Sequence, residues 1–283
     1  MKHLRRIALA VLGLACLVYL GAGCWMYSNQ RSLIYPIAHD PENARLPRAK
    51  DIAGEWLEHD IGQGSVDYVF LPSTLTTTET PAPLVVICHG NGSLVDQYIP
   101  HAQFWTSRGF HVLIPEYRGY GRSAGAPTQR EITDDIVAMI EAIQARPEVH
   151  DRHVIMRGHS LGGAISASVI RRVKPRAWVV SSTFTSMDDI ARARFMPSFV
   201  VLDHFRTSEV FASADFPILL THGESDETIA FHHGESLSKT NKRVEFHTFE
   251  CGHNGCPERS VHEKLMYEFL NKHDLLPAEK RTP

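Results

Sequence analysis

The chain has no excess of basic charge, no C-x-x-C pair and no internal repeat. Each absence removes a class of function. Lys plus Arg total 29 against 32 Asp plus Glu, a net of -3. That balance leaves no basic footprint for nucleic acid and no strong steering field for charged substrates. The five cysteines (Cys16, Cys24, Cys88, Cys251 and Cys256) include no C-x-x-C, and no matching histidine pair completes a zinc pattern. His232 and His233 lack an H-E-x-x-H partner set. Low-complexity sequence is confined to the Thr- and Pro-rich stretch 73–83, which reads as a loop tip between strands.

What is present points elsewhere. Hydrophobic residues make up 43% of 283 residues, enough to build a sizeable core and too many for a disordered chain. Lys2, Arg5 and Arg6 precede an uncharged stretch, 7–27, with Trp25 and Tyr27 at its far end. As a helix it spans roughly 30 Å, the thickness of a bilayer's hydrocarbon core. Aromatics at its end suit the membrane interface, and the cations before it predict a cytoplasmic N-terminus with the rest of the chain on the other side. The run outlasts the apolar core of a cleaved signal peptide, about 7 to 15 residues. Gly21-Ala22-Gly23 before Cys24 leaves cleavage or lipidation of Cys24 as alternatives, although a lipoprotein site prefers an aliphatic residue where Gly21 stands. The expected division is an anchor over 1–30 and a catalytic domain over 31–283.

Beyond the anchor, short β-branched runs alternate with amphipathic segments. Strands are predicted over 84–88, 110–114, 154–156, 178–180, 218–220 and 244–248, and helices over 128–145, 161–173 and 258–272. Residues 56–71 alternate polar and apolar and predict a leading antiparallel hairpin at one sheet edge. The pattern is that of an α/β fold with a mostly parallel sheet covered on both faces.

Gly158-His159-Ser160-Leu161-Gly162-Gly163 follows one predicted strand and opens a helix. This is the G-x-S-x-G nucleophile elbow in its required setting, with Ser160 lifted clear of the sheet edge. A serine hydroxyl needs a base to take its proton. In this fold the order along the chain is serine, acid, histidine. Asp226, in Gly223-Glu224-Ser225-Asp226-Glu227, and His253, in Cys251-Gly252-His253-Asn254, stand at the ends of the next suitable strands. Glu224 and Glu227 are the rival acids, and His222 is expected to shape the acid loop. His89-Gly90-Asn91-Gly92 follows an earlier strand, so the N–H groups of Asn91 and Leu161 are the expected oxyanion donors. The chemistry is complete without a cofactor or metal, and none is implied.

With these residues assembled, the chain resembles the alpha/beta-hydrolase superfamily, and looks closest to a membrane-anchored branch that includes depalmitoylating thioesterases and serine aminopeptidase-like hydrolases. The resemblance runs from about Gln30 to Leu270. It rests on Gln30-Arg31-Ser32-Leu33-Ile34-Tyr35-Pro36, His89 to Gly92, Tyr117-Arg118-Gly119-Tyr120-Gly121-Arg122-Ser123, Gly158 to Gly163, Phe184-Thr185-Ser186 and Gly252-His253-Asn254. Glu116 stands where the family often has Asp, and Gly255-Cys256 replaces an acidic residue; both are expected to alter the rim of the site. The short stretch 182–214 implies a small cap and a fairly open site. Phe184 and Tyr120 are candidates either for an acyl pocket or for the core. Cys251 and Cys256 are expected as free thiols, with a disulfide as the alternative if the domain is extracytoplasmic. The implied activity is hydrolysis of a carboxylic ester or thioester through Ser160, His253 and Asp226. A peptidase or amidase on the same triad and a non-catalytic binding protein of the same fold are the alternatives. Epoxide hydrolysis and dehalogenation are disfavoured, because those relatives use Asp where Ser160 stands. The expected partners are an acyl ester, thioester or amide substrate and the membrane, with no nucleic acid; the sequence is silent on oligomeric state.

Overall fold

The computed structural model describes residues 1–36, 54–75 and 81–277; part of the predicted loop 73–83 lies outside these residues. Helix α1 runs Lys2–Ile34, 33 residues, and continues without a break past residue 30. At about 1.5 Å per residue it is about 50 Å long, more than the roughly 30 Å needed to cross a hydrocarbon core. Among its residues only Gln30 is buried. The predicted edge hairpin is β1 (Glu55–Asp60) and β2 (Ser65–Leu71), paired antiparallel. Then follow β3 (Ala82–Cys88), α2 (Val95–Thr106), β4 (His111–Pro115), α3 (Gln129–Gln144), β5 (Val149–His159), α4 (Leu161–Ile170) and β6 (Ala177–Ser181). A short cap comprises α5 (Met187–Ala193), a 3-10 turn (Ser198–Val200) and α6 (Thr207–Ser213), after which β7 (Ile218–Gly223), α7 (His232–Ser238), β8 (Val244–Phe249) and α8 (Arg259–Lys272) complete the chain.

The eight strands form one sheet in the order β1-β2-β4-β3-β5-β6-β7-β8. β2 joins β4 antiparallel, and every pairing from β4 through β8 is parallel. Parallel neighbours need crossover connections, which the helices supply, so both faces are covered. Residue parity divides the core accordingly. Leu84, Val86, Met156, Trp178, Val180 and Leu220 face one layer with α3 and α4. Val85, Ile87, Ile155, Val179 and Leu219 face the other with α2 and α8. Burying each such aliphatic side chain contributes about 1.5–3 kcal/mol. The layers hold the C-terminal ends of the parallel strands β3 to β8 along a single edge, and the site is built there.

Helix α3 begins at a side-chain N-cap: Thr128 Oγ1 accepts from Glu131 N at 3.1 Å and donates to Glu131 Oε2 at 3.0 Å. Asp203, from the cap, accepts from Gln129 N at 3.0 Å and from Tyr35 Oη at 3.2 Å. One buried carboxylate thus ties together the end of α1, the cap and the start of α3.

Candidate active site

β5 ends at His159 and α4 begins at Leu161, so the chain turns within one residue. Ser160 absorbs the turn with φ 54° and ψ -123°, a region that L residues occupy only at a cost of about 1–3 kcal/mol. Glycines make the turn possible. A methyl on Gly158 would collide with the backbone of Gly162, and one on Gly162 with the carbonyl oxygens of Cys88 and His89. Thr183 Oγ1 donates to Ser160 O at 3.0 Å, and Ser160 N donates to Ser181 O at 3.0 Å, which pins the strained residue from β6.

The structure brings the three residues singled out as nucleophile, base and acid into one line. Ser160 Oγ lies 2.9 Å from His253 Nε2, and His253 Nδ1 lies 2.7 Å from Asp226 Oδ2. Asp226 is buried on the turn after β7, and its other oxygen accepts from Thr228 N at 2.9 Å and Ile229 N at 2.8 Å. Burial pushes its pKa up, but these hydrogen bonds and the His253 ring outweigh that and hold it below the usual carboxylate value. The rival acids Glu224 and Glu227 are exposed, and Glu224 accepts from Thr248 Oγ1 at 2.6 Å. His222 donates from Nε2 to Ile229 O at 2.9 Å, so it braces the acid loop from beneath.

Two expectations are corrected around this line. Cys251 and Cys256 are joined by a disulfide, not free, and the bridge closes the loop that carries His253. Spacing alone gave no reason to prefer it, because pairing depends on how the loop folds back. Glu116 is not on the rim. It is fully buried behind the His89–Gly92 loop, 2.7 Å from His89 Nε2, and it accepts from Val95 N at 3.1 Å and Tyr117 N at 3.2 Å. Tyr117 stacks on the His89 ring at 3.9 Å and donates to His89 O at 2.8 Å. Glu116 therefore fixes the loop carrying Asn91.

Asn91, Ser160 and Leu161 line one cavity of about 390 Å³. Leu161 N is the first amide of α4, a group that helix geometry leaves without an intrahelical acceptor. A substrate oxygen beside Ser160 would lie near the positive end of that helix. Phe184 lines this cavity, whereas Tyr120 is fully buried in the core and does not. The remaining walls escaped the sequence reading. Met187, Ile190, Met196, Val200 and Val201 come from the cap, and Met26, Gln30, Leu33 and Ile34 from α1. The Gln30–Pro36 motif marked these positions without indicating what they face.

A second group of histidines stands behind the line. His159 is held 5.0 Å, ring to ring, from His253, and its Nδ1 lies 3.1 Å from Ser181 Oγ. Burial, aided by the nearby His253 and Arg157, pushes its pKa down to about 4. Burial also lowers His101 and His233 to about 4 and His262 to about 3. The unfolded reference is about 6.5, so below that pH the unfolded chain binds more protons than the folded one. Stability is then lost as pH falls. The melting temperature of the full-length protein in detergent is expected to be level above pH 7 and to drop steadily between pH 6.5 and 5. A flat profile across that window, by scanning calorimetry, would contradict it.

Comparison with known proteins agrees with this fold. Residues 79–203 match the model of a family described as serine aminopeptidase, S33. YfhR of Escherichia coli K12 is 31% identical over 183 residues, covering 62% of this chain and 64% of its own. Protein bem46 of Schizosaccharomyces pombe is 27% identical over 269 residues, 89% of each chain. Lysophosphatidylserine lipase ABHD12 of Gallus gallus is 31% identical over 178 residues, 55% of this chain and 46% of its own. The chain thus spans under two thirds of YfhR and about half of ABHD12. Among solved structures, the native Est2 esterase of Thermogutta terrifontis superposes with a TM-score of 0.65 at 15% identity, over 84% of this chain and 99% of its own. Est1E of Butyrivibrio proteoclasticus, bound to ferulic acid, superposes with a TM-score of 0.66 at 18% identity, over 77% and 99%. At such identities the structures speak for the fold.

Proposed function

The chain belongs to the alpha/beta-hydrolase superfamily, and from that membership and the surroundings of Ser160 we propose that it hydrolyses carboxylic esters or thioesters through an acyl-enzyme. The observation that carries this reading is the unbroken hydrogen-bonded line Ser160–His253–Asp226. Ser160 Oγ attacks the acyl carbonyl as His253 Nε2 takes its proton, and the N–H groups of Asn91 and Leu161 hold the oxyanion. The tetrahedral intermediate collapses, and the leaving alcohol or thiol departs with the proton from His253. Water then enters, gives a proton to His253 and attacks the acyl carbon. Collapse returns that proton to Ser160 and releases the carboxylic acid. Asp226 keeps the imidazole in the tautomer with Nδ1 protonated and stabilises its charged form.

A relative named as a lipase supports ester over amide cleavage. The serine aminopeptidase match keeps an amidase as the second reading on the same triad. The test is a p-nitrophenyl ester and acyl-thioester chain-length series on the full-length protein, beside matched amides. Covalent labelling of Ser160 by a fluorophosphonate probe runs in parallel. Labelling with turnover of esters or thioesters well above amides is expected; a folded protein that the probe does not label would point to a binding protein.

The division into an anchor over 1–30 and a catalytic domain over 31–283 belongs to the same proposal, with the domain outside the cytoplasm. Lys2, Arg5 and Arg6 on the N-terminal side support that orientation. So does the Cys251–Cys256 disulfide, a bond that persists in oxidising compartments. Protease added to intact cells is expected to remove the domain; full protection, with cleavage only after lysis, would reverse the orientation.

A further inference from the structure

We propose that the catalytic cavity opens into the membrane leaflet that α1 crosses, with Phe195 and Phe199 of the cap seated among its acyl chains, so that the substrate is an acyl lipid drawn sideways from that leaflet. This deepens the ester and thioester reading and rests on it.

The first observation is continuity. Met26 falls inside the uncharged run 7–27, yet it lines the same cavity as Ser160, with Leu33 and Ile34 lower on the same helix. A single apolar passage therefore joins the nucleophile to the membrane-spanning segment. A water-soluble substrate would gain nothing from a route walled by the anchor; an acyl chain leaving the bilayer would remain in apolar surroundings throughout.

The second observation is depth. The cap is fastened to α1 at two levels. Gln30 Nε2 donates to Val200 O at 2.8 Å, and Leu202 N donates to Gln30 Oε1 at 2.8 Å. Higher up, Tyr19 Oη donates to Phe195 O at 2.9 Å. Tyr19 stands eight residues before Tyr27, the end of the uncharged run. Eight helical residues cover about 12 Å along the axis. A helix placed with 7–27 in the hydrocarbon thus carries the cap tip about 12 Å past the interface, into the acyl region.

The third observation is what the tip displays. Phe195 and Phe199 are each 85% exposed. Phe195 has φ 58°, a left-handed backbone that bulky residues avoid, held by Phe195 N donating to Arg192 O and Met196 N to Ala191 O, each at 2.9 Å. Two exposed phenylalanines on a braced turn form an apolar projection with no protein cover, beside a helix whose residues Leu9, Leu12 and Leu17 are likewise bare. A lipid leaflet covers the helix and the tip together. Arg194, which lines the cavity next to Phe195, donates from Nη1 to Ile190 O at 3.3 Å, so part of its charge is met within the cap.

The test uses full-length protein in phosphatidylcholine vesicles and the double variant Phe195→Ser/Phe199→Ser. Neither residue lines the cavity, so turnover of water-soluble p-nitrophenyl acetate should be unchanged, which also reports that the variant folds. Turnover of p-nitrophenyl palmitate carried in the vesicles should fall about tenfold or more, the effect of withdrawing two buried aromatic rings from lipid. In a second arm, Phe195→Trp and Phe199→Trp should each add fluorescence that acyl-brominated phosphatidylcholine quenches beyond the wild-type level. Equal palmitate turnover in variant and wild type, or added tryptophans that bromine leaves unquenched, would overturn the proposal. A double variant that turns a dimer into a monomer with palmitate turnover intact would also overturn it, assigning the tip to a second copy of the chain. Wild-type protein without Ser160-dependent acetate cleavage would instead sink the hydrolase reading on which the proposal stands.

Discussion

Ser160→Ala is expected to lower kcat for esters by about six orders of magnitude, the loss seen when a serine of this kind is removed from a comparable triad. The reason lies in the geometry. Ser160 Oγ is the atom that His253 Nε2 reaches at 2.9 Å, and an alanine leaves the imidazole facing a methyl group. Water can occupy part of the space, but it is not covalently held at the strained turn, so the advantage of a preplaced nucleophile is gone. What survives is stabilisation from the amides of Asn91 and Leu161, worth about 10³–10⁴ over water in related enzymes. The fold should be unaffected, because the backbone bonds that pin residue 160 involve its N and O alone. Steady-state turnover and fluorophosphonate labelling measure the result together. A variant that keeps wild-type turnover would remove Ser160 from the chemistry.

Asp226→Asn is expected to lower kcat by about 10⁴ while leaving the fold intact. The backbone N–H groups of Thr228 and Ile229 both donate to Asp226 Oδ1. An asparagine keeps those bonds only by turning its oxygen toward them, which aims its NH₂ at His253 Nδ1. The imidazole then accepts at Nδ1 and carries its proton on Nε2, the nitrogen that has to take the proton from Ser160. The opposite amide orientation sets donors against donors on the buried turn, at about 1–3 kcal/mol for the groups left unsatisfied. The variant should melt close to wild type and bind substrate with a similar KM, with the loss confined to kcat. A tenfold loss or less would mean that another group, not residue 226, orients His253.

Much of this was legible before any coordinates. The β-branched runs gave six strands because a sheet covered on both faces admits short, uniformly apolar segments and little else. The elbow was legible because its glycines answer a steric demand that other side chains fail. Asp226 and His253 followed from chain order, and the structure sets them beside Ser160. What stayed hidden depends on contacts between distant segments. Gln30 and Val200 are 170 residues apart, and nothing in either stretch says that the anchor's last turns form a cavity wall. Glu116 read as a departure at the rim because its partner His89 lies 27 residues away on another strand end. The disulfide depended on loop geometry and on compartment, and spacing carries neither.

One missing methyl group has a consequence for how such a protein can diversify. The α-carbon of Gly162 rests against the carbonyls of Cys88 and His89, so the turn that supplies Leu161 N and the loop that supplies Asn91 N are in backbone contact. Neither amide can shift without displacing the other, and mutation has no side chain there to trim. The proposed cradle for the developing charge is a fixed inheritance. New preferences for acyl length or leaving group have to arise in the cap and along the lower turns of α1, where methionines and leucines exchange at small cost.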